Sequence, residues 1–304
     1  SDFYVAITCA LTSAVAVFAV RHVRHRNQFY RSMIFLPTSY ILLIAAADLL
    51  RFVPPEQIYA HALPGIFIGV AAPILTIGLL PIFESLFHLT TDITLLELSD
   101  LNRPLLRELA IRAPGTYTHS LIMANLSESA AEAISGNPLL ARVGCYYHDI
   151  GKIYKPEYFA ENMGKDKSIH DQLRPSMSKL IIMSHVKEGM ILAREEKLPQ
   201  PIIDMIPMHH GTTVVEFFYH KALQEDGEEE ENSTEDTEYR YPGPKPTFPE
   251  AGVLMLADAV EAISKSIQDP TPVKFREIAR EMIRKRIFDG QLDECQLTMA
   301  DLYK

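Results

Sequence analysis

Three long apolar runs near the start of the chain constrain its fold more than any other feature of the sequence. They cover residues 3–20, 33–50 and 62–83, and almost no polar residue interrupts them. A membrane-spanning helix needs about 20 predominantly apolar residues, whereas the helices of a soluble bundle need polar faces. The sequence therefore predicts a membrane region at residues 1–90 with about three transmembrane helices.

Basic residues in the connections predict the orientation of this region. Residues 21–31 read RHVRHRNQFYR, whereas residues 51–61 contain one arginine and one glutamate. Connections rich in Lys and Arg stay on the cytoplasmic side, so the first connection and everything after the third span are expected there. We expect a multi-pass protein of the inner (plasma) membrane, in contact with the lipid bilayer, with a cytoplasmic domain at residues 91–304. The chain opens in an apolar run without an initiator Met, which favours a truncation point in a longer protein.

Helical periodicity dominates residues 91–304. Leucines recur at spacings of three and four between residues 95 and 109, as on one face of a helix. Further helices are predicted at 118–134, 138–150, 179–196, 201–208, 249–267 and 272–287. The sequence has neither alternating strand patterns nor a GxGxxG motif, so the predicted class is all-α. Residues 224–247, a glutamate run followed by YPGPKPTF, are predicted to form a flexible surface loop.

Charge and cysteine content exclude two classes of protein. The net charge is -10 and no basic patch is evident, which argues against binding a nucleic-acid polymer. An anionic substrate stays compatible with this charge, because bound metal ions reverse the local field. The three cysteines are far apart and contain no CxxC motif, which argues against a disulfide framework and fits a reducing compartment.

Histidine placement is the feature that bears on chemistry. The adjacent pairs His148-Asp149 and His209-His210 lie at predicted helix ends, the second before Gly211, where a helix would stop. Single residues of the same types occur in other predicted helices; they are His119, His185 and Asp258. A buried aspartate is costly unless it is paired or bound to a metal. The pattern predicts a metal site of a kind that suits iron, manganese, zinc or nickel better than calcium.

The order H…HD…H…HH…D, with the words around it, resembles the HD-domain phosphohydrolases and in particular their seven-transmembrane branch. The matching stretches cover nearly all of residues 80–304; they include LLELSDLNRPLL, APGTYTHS, YYHDIGK, IIMSHVKEG, HHGT, YPGPKP, LMLADAVEA and DGQLDECQLT. The resemblance implies an all-α architecture in which C-terminal transmembrane helices precede a cytoplasmic helical HD domain. That family's first span and large extracytoplasmic domain have no counterpart in this sequence.

The resemblance also implies a centre with two divalent transition-metal ions, iron or manganese. One ion would be held by His119, His148 and Asp258, the other by His185, His209 and His210, with Asp149 as the bridge. The implied activity is hydrolysis of cyclic di-AMP to linear pApA, a signalling reaction. Two such ions supply a water for in-line attack on phosphorus, which makes Asp149 a predicted catalytic residue.

Three further residues are assigned roles near this centre. Lys152 follows the HD pair by a short helical step and is predicted to contact a phosphate oxygen and to take part in catalysis. Tyr117 is a predicted substrate contact. Thr116 is predicted to be the N-cap of its helix, because threonine is favoured at that position.

Two other functions are left open by the sequence. The same site could cleave another cyclic dinucleotide or a guanosine polyphosphate, or the chain could be a membrane receptor whose HD domain binds a nucleotide without hydrolysing it. A bridging aspartate favours hydrolysis, because a receptor that only binds has no need of one. The oligomeric state also stays open, a homo-oligomer included.

Overall fold

A computed structural model describes residues 2–20, 26–87, 89–163, 168–226, 235–265, 267, 269 and 271–304. These residues are largely helical and contain no strand, only one isolated antiparallel bridge between Val214 and Arg240. The predicted all-α class is therefore confirmed. The chain divides into two compact units, Ser1–Leu96 and Glu97–Lys304.

Three long helices dominate the first unit. They are α1 (Asp2–Val20), α2 (Arg26–Leu50) and α3 (Pro55–Phe87). The segments Arg31–Leu50 and Pro55–Glu84 are long and apolar enough to cross a membrane, while α1 contributes a shorter apolar stretch, Tyr4–Ala19. Helix α3 continues through three internal prolines, which membrane helices tolerate. Of the basic connection used to predict orientation, residues 21–25 lie outside the described residues.

Shorter helices make up the rest of the chain. They are α4 (Asp92–Leu98), α5 (Pro104–Arg112), α6 (Pro114–Ala133), α7 (Pro138–Tyr147), α8 (Pro175–Glu195), α9 (Gln200–Met208), α10 (Glu216–Asp226), α11 (Pro249–Ser264), α12 (Pro272–Phe288) and α13 (Met299–Leu302). Short 3-10 helices occupy Ile150–Tyr154, Pro156–Tyr158, Ile169–Gln172 and Asp236–Tyr239. Six of these α-helices begin with proline, whose fixed φ suits the first turn and whose missing N–H has no partner there in any case.

Four helices pack together to form the centre of the second unit. Helix α11 contacts α6, α7 and α9, and α6 and α9 each pack on α7. Their facing sides are apolar and buried; examples are Met123, Val143, Ile202, Met205 and Leu254. Helix α8 packs on α9 and on the 3-10 helix Ile150–Tyr154. The contact to α8 requires glycine at position 151, because a Cβ there would overlap the carbonyl oxygen of His185.

Several predicted helix boundaries differ from the structure; for example, α8 begins at Pro175 instead of residue 179, and α11 ends at Ser264 instead of residue 267. Helix α6 begins at Pro114, so Ala113 occupies the N-cap position and Thr116 lies inside the helix; the predicted cap at Thr116 is wrong, because Pro114 already fits the first turn. The predicted helix 138–150 ends at Tyr147, and the chain continues as a 3-10 helix from Ile150. The sequence also gave no indication of α10.

The described parts of the segment 224–247 differ from the predicted flexible loop, because residues 224–226 are the end of α10 and residues 235–247 contact the rest of the domain. Residues 227–234, with much of the glutamate run, lie outside the described residues. Asp236–Tyr239 is a 3-10 helix, and Tyr239 and Tyr241 are buried. Arg240 forms ion pairs with Asp236 and Asp289 at 2.8 and 3.0 Å. The buried rings of the two tyrosines attach this otherwise polar stretch to the domain.

Candidate metal centre

Side chains from five helices converge in the second unit, and they are the seven ligands predicted from the sequence. His119 lies on α6, His148 and Asp149 directly follow α7, His185 lies on α8, His209 and His210 follow α9, and Asp258 lies on α11. His210 and Asp258 are half-buried and the other five are buried. Helix packing thus brings together residues that are far apart in sequence.

The ligand atoms form two triads. One consists of His119, His148 and Asp258, the other of His185, His209 and His210, and within each triad the atoms lie within 4.8 Å of one another. The roles assigned to these residues stay predictions, but three ligand atoms at such spacing can reach one ion.

Asp149 lies between the two triads. Its Oδ2 is 3.2 Å from Nε2 of His148. Its Oδ1 is 3.3 Å from Nε2 of His185 and 3.7 Å from Nε2 of His209. Each oxygen therefore faces a different triad, as a bridging carboxylate requires.

Backbone carbonyls fix the orientation of three of the imidazoles. The Nδ1 atoms of His148, His185 and His209 lie 2.7, 2.5 and 2.5 Å from carbonyl oxygens three residues earlier. A carbonyl can only accept a hydrogen bond, so Nδ1 carries the hydrogen and Nε2 presents a lone pair to the centre. Metal-binding histidines in proteins are oriented in this way.

Among the buried polar atoms that have no hydrogen-bond partner in the described part of the chain are Nε2 of His148, Nε2 of His185 and Oδ1 of Asp149. Such atoms are rare in folded proteins. A divalent cation would satisfy all three, because imidazole nitrogens and carboxylates are its usual ligands. The residues present therefore fit a metal.

The protonation states of His185, His209 and His210 also suit a cation site. Burial lowers the pKa of His209 to about 3 and lowers the pKa values of His185 and His210 as well, so these imidazoles are neutral at pH 7. Burial acts on His119 in the same direction, but the carboxylates of Asp258 and Glu261 outweigh it and raise its pKa to about 10. The same negative charge that holds a proton on His119 would attract a metal ion.

Lys152 lies at the edge of the centre. Its Nζ is 2.7 Å from Oδ2 of Asp149 and 2.7 Å from Oε1 of Glu161, and it also lies 4.9 Å from the centre of the Phe159 ring. Burial alone would lower the pKa of this lysine, but the two carboxylates outweigh burial and raise it. Lys152 is thus a fixed positive charge beside the carboxylate of Asp149.

The other two residues singled out on the same helix have different surroundings. Thr116 is buried, and its Oγ1 donates to Glu161 and accepts from Nδ2 of Asn162 at 2.9 and 2.8 Å. Tyr117 is half-buried, two residues before His119. Its predicted substrate contact stays a prediction.

Sequence reasoning missed residues that contact the candidate ligands, and Tyr241 and Glu261 are two of them. The Tyr241 ring stacks on the His210 ring with centroids 4.0 Å apart and planes inclined by 14°. Oε2 of Glu261 lies 2.8 Å from Nδ1 of His119. A signal existed for Glu261, because it lies three residues after Asp258 and so on the same helix face. Tyr241 lies outside any periodic pattern.

Comparisons with known proteins match both parts of the chain. Residues 116–263 match the HD domain model, and residues 1–91 match the model described as a 7TM receptor with intracellular HD hydrolase. All seven predicted ligands fall within the HD match.

Two curated relatives are both called cyclic-di-AMP phosphodiesterase PgpH. That of Bacillus subtilis (strain 168) is 45% identical over 240 residues, which is 79% of this chain and 33% of the relative. That of Listeria monocytogenes (strain 10403S) is 44% identical over 234 residues, 77% of this chain and 32% of the relative. The chain therefore spans about a third of the length of these relatives.

A solved structure is similar to about two thirds of this chain. The L. monocytogenes PgpH HD domain in complex with cyclic-di-AMP superposes with a TM-score of 0.63 at 43% identity, over 67% of this chain and 94% of that chain. The same domain in a second crystal structure gives a TM-score of 0.62 at 44% identity, over 66% of this chain and 93% of that one.

Proposed function

The chain belongs to the seven-transmembrane HD-domain phosphohydrolase family, and on that premise we propose that it is a membrane-anchored, metal-dependent phosphodiesterase that opens cyclic di-AMP to linear pApA. The observation that carries the proposal is the position of Asp149, whose two oxygens face two separate triads. The names of the two curated relatives, and the cyclic-di-AMP complex of the similar HD domain, support the choice of substrate.

The proposed centre binds two ions, iron or manganese, because imidazole ligands suit iron, carboxylate ligands suit manganese, and the site offers both. Bound there, the ions would activate a water for attack on phosphorus and offset the negative charge of the phosphodiester. Asp149 and the six other ligands hold this positive charge inside an acidic protein. Lys152 adds a further positive charge next to Asp149 and is proposed to bind a phosphate oxygen of the substrate. Tyr117 is proposed to contact the substrate.

We also propose that the chain is anchored by its first unit in the plasma membrane, with three spans and the HD domain in the cytoplasm. Support comes from the apolar helices of residues 1–90 and from the arginines of the first connection. Cyclic dinucleotides made in the cytoplasm would then reach the centre without crossing the bilayer.

Product identification with a panel of substrates tests this function. The full chain in detergent, supplied with manganese, should convert cyclic di-AMP to pApA. Cyclic di-GMP and guanosine tetraphosphate should react at least tenfold more slowly, and a chelator should stop the reaction. Turnover of guanosine tetraphosphate alone would instead identify a different HD hydrolase. Binding of cyclic di-AMP without any product would identify a receptor.

A further inference from the structure

The histidines of the centre are not all oriented by the same kind of group. His148, His185 and His209 each use a backbone carbonyl, and His210 stacks on Tyr241. His119 differs, because its Nδ1 lies 2.8 Å from a carboxylate oxygen of Glu261. A carboxylate brings a full negative charge to the position where a carbonyl brings only a dipole.

Glu261 is buried beside His119 and is held in place by a second contact. Its side chain is 4% exposed and that of His119 is 6% exposed, so the pair is largely withdrawn from water. Its other oxygen, Oε1, lies 3.0 Å from Nζ of Lys265, the residue that directly follows α11. The carboxylate is therefore held on both sides, and its direction towards His119 is fixed.

His119 thus lies between two carboxylates of one helix. Asp258 Oδ1 is 3.2 Å from Nε2, and Glu261 Oε2 is 2.8 Å from Nδ1. The spacing of three residues on α11 places both carboxylates on the face that packs on α6. A carboxylate oxygen 2.8 Å from Nδ1 favours the tautomer of a neutral His119 that carries its hydrogen on Nδ1, and that tautomer leaves Nε2 free for a metal.

We propose that Glu261 is a positioning residue that fixes the tautomer of His119 and raises the affinity of the ion held by His119, His148 and Asp258, while the ion held by the other triad does not depend on it. The inference rests on the proposed two-ion centre. Carboxylate partners raise the basicity of a metal-binding imidazole and add favourable charge, and both effects are local to His119. Glu261 therefore raises the affinity for one of the two ions and not for the other.

Metal titration of the full chain in detergent, first stripped by a chelator, tests the proposal. With Glu261→Gln, the affinity for one manganese ion should fall by about 10- to 100-fold, and the affinity for the other should stay at the wild-type value. Electron paramagnetic resonance gives a second readout. At the same total manganese concentration, the wild type should give the signal of an exchange-coupled pair of ions, whereas the Glu261→Gln variant should give the signal of a single manganese ion. Glu261→Asp should restore part of the affinity, and Glu277→Gln, an exposed residue of α12, should leave both ions unaffected.

A double-mutant cycle with His119 separates positioning from a general structural role. If Glu261 acts through His119, Glu261→Gln should weaken metal binding no further once His119 is alanine. The proposal would be overturned if Glu261→Gln lowered the affinity for both ions equally, or if its effect on metal affinity were undiminished in the His119→Ala protein. Two ions in the wild type with unaltered binding by Glu261→Gln would overturn this inference alone. Absence of metal from the wild type would overturn the proposed function as well.

Discussion

Replacing Asp149 by alanine is expected to lower the rate of cyclic di-AMP hydrolysis by at least about 1000-fold, equivalent to about 4 kcal/mol of transition-state stabilisation. The reason is geometric, because the two oxygens of this carboxylate face different triads at 3.2 and 3.3 Å. Without it, two cations held close together would lose the negative charge between them. We therefore expect the metal content of the variant to fall together with its rate.

A product assay by chromatography, with metal content measured on the same sample, checks this result. Asp293→Ala is the matched control, because the Asp293 side chain is 71% exposed and lies 4.0 Å from its partner Lys245; it should keep wild-type rate and metal content. A fully active Asp149→Ala protein in excess manganese would mean that no bridging carboxylate is needed and that the proposed mechanism is wrong.

Replacing Lys152 by methionine is expected to destabilise the metal-free protein by about 3 kcal/mol. Lys152 neutralises two carboxylates at 2.7 Å, and the side chains of Lys152, Asp149 and Glu161 are only 13, 2 and 16% exposed. Its removal leaves buried negative charge without its partner, which costs more than the loss of an exposed ion pair. Added manganese should restore part of the stability, because it places positive charge next to Asp149.

Thermal and urea denaturation of the metal-free chain measure this effect, and Lys155→Met provides the comparison. Lys155 also pairs with one carboxylate, Glu188 at 3.0 Å, but the two side chains are 42 and 26% exposed. Its loss should change the free energy of unfolding by about 0.5 kcal/mol, as for other solvent-exposed pairs. Equal destabilisation by the two substitutions would show that Lys152 does not neutralise buried charge.

The seven candidate ligands could be selected from the sequence because their residue types are informative without any fold, and their metal-binding roles stay predictions. Adjacent His148-Asp149 and His209-His210 pairs in apolar surroundings have few structural uses, so the sequence alone pointed to a metal site. The all-α class followed from periodicity and is confirmed. These inferences depend on local sequence patterns, which can be recognised without knowing how the helices pack.

The residues that support the ligands could not be predicted in the same way. Glu261 matters only because α11 packs on α6 and brings its carboxylate to Nδ1 of His119. Tyr241 belongs to a stretch whose average composition indicated a flexible loop, yet one buried ring of that stretch stacks on His210. Glycine is required at position 151 only because α8 approaches so closely that a Cβ there would overlap the carbonyl oxygen of His185. Each role depends on a contact between distant segments.

The most direct measurement is hydrolysis of cyclic di-AMP by the full chain as manganese is added back to metal-free protein, with bound metal counted at each step. The account predicts that activity is absent without metal and reaches its maximum as the second ion per chain binds. Full activity in protein that holds less than one ion per chain would contradict it.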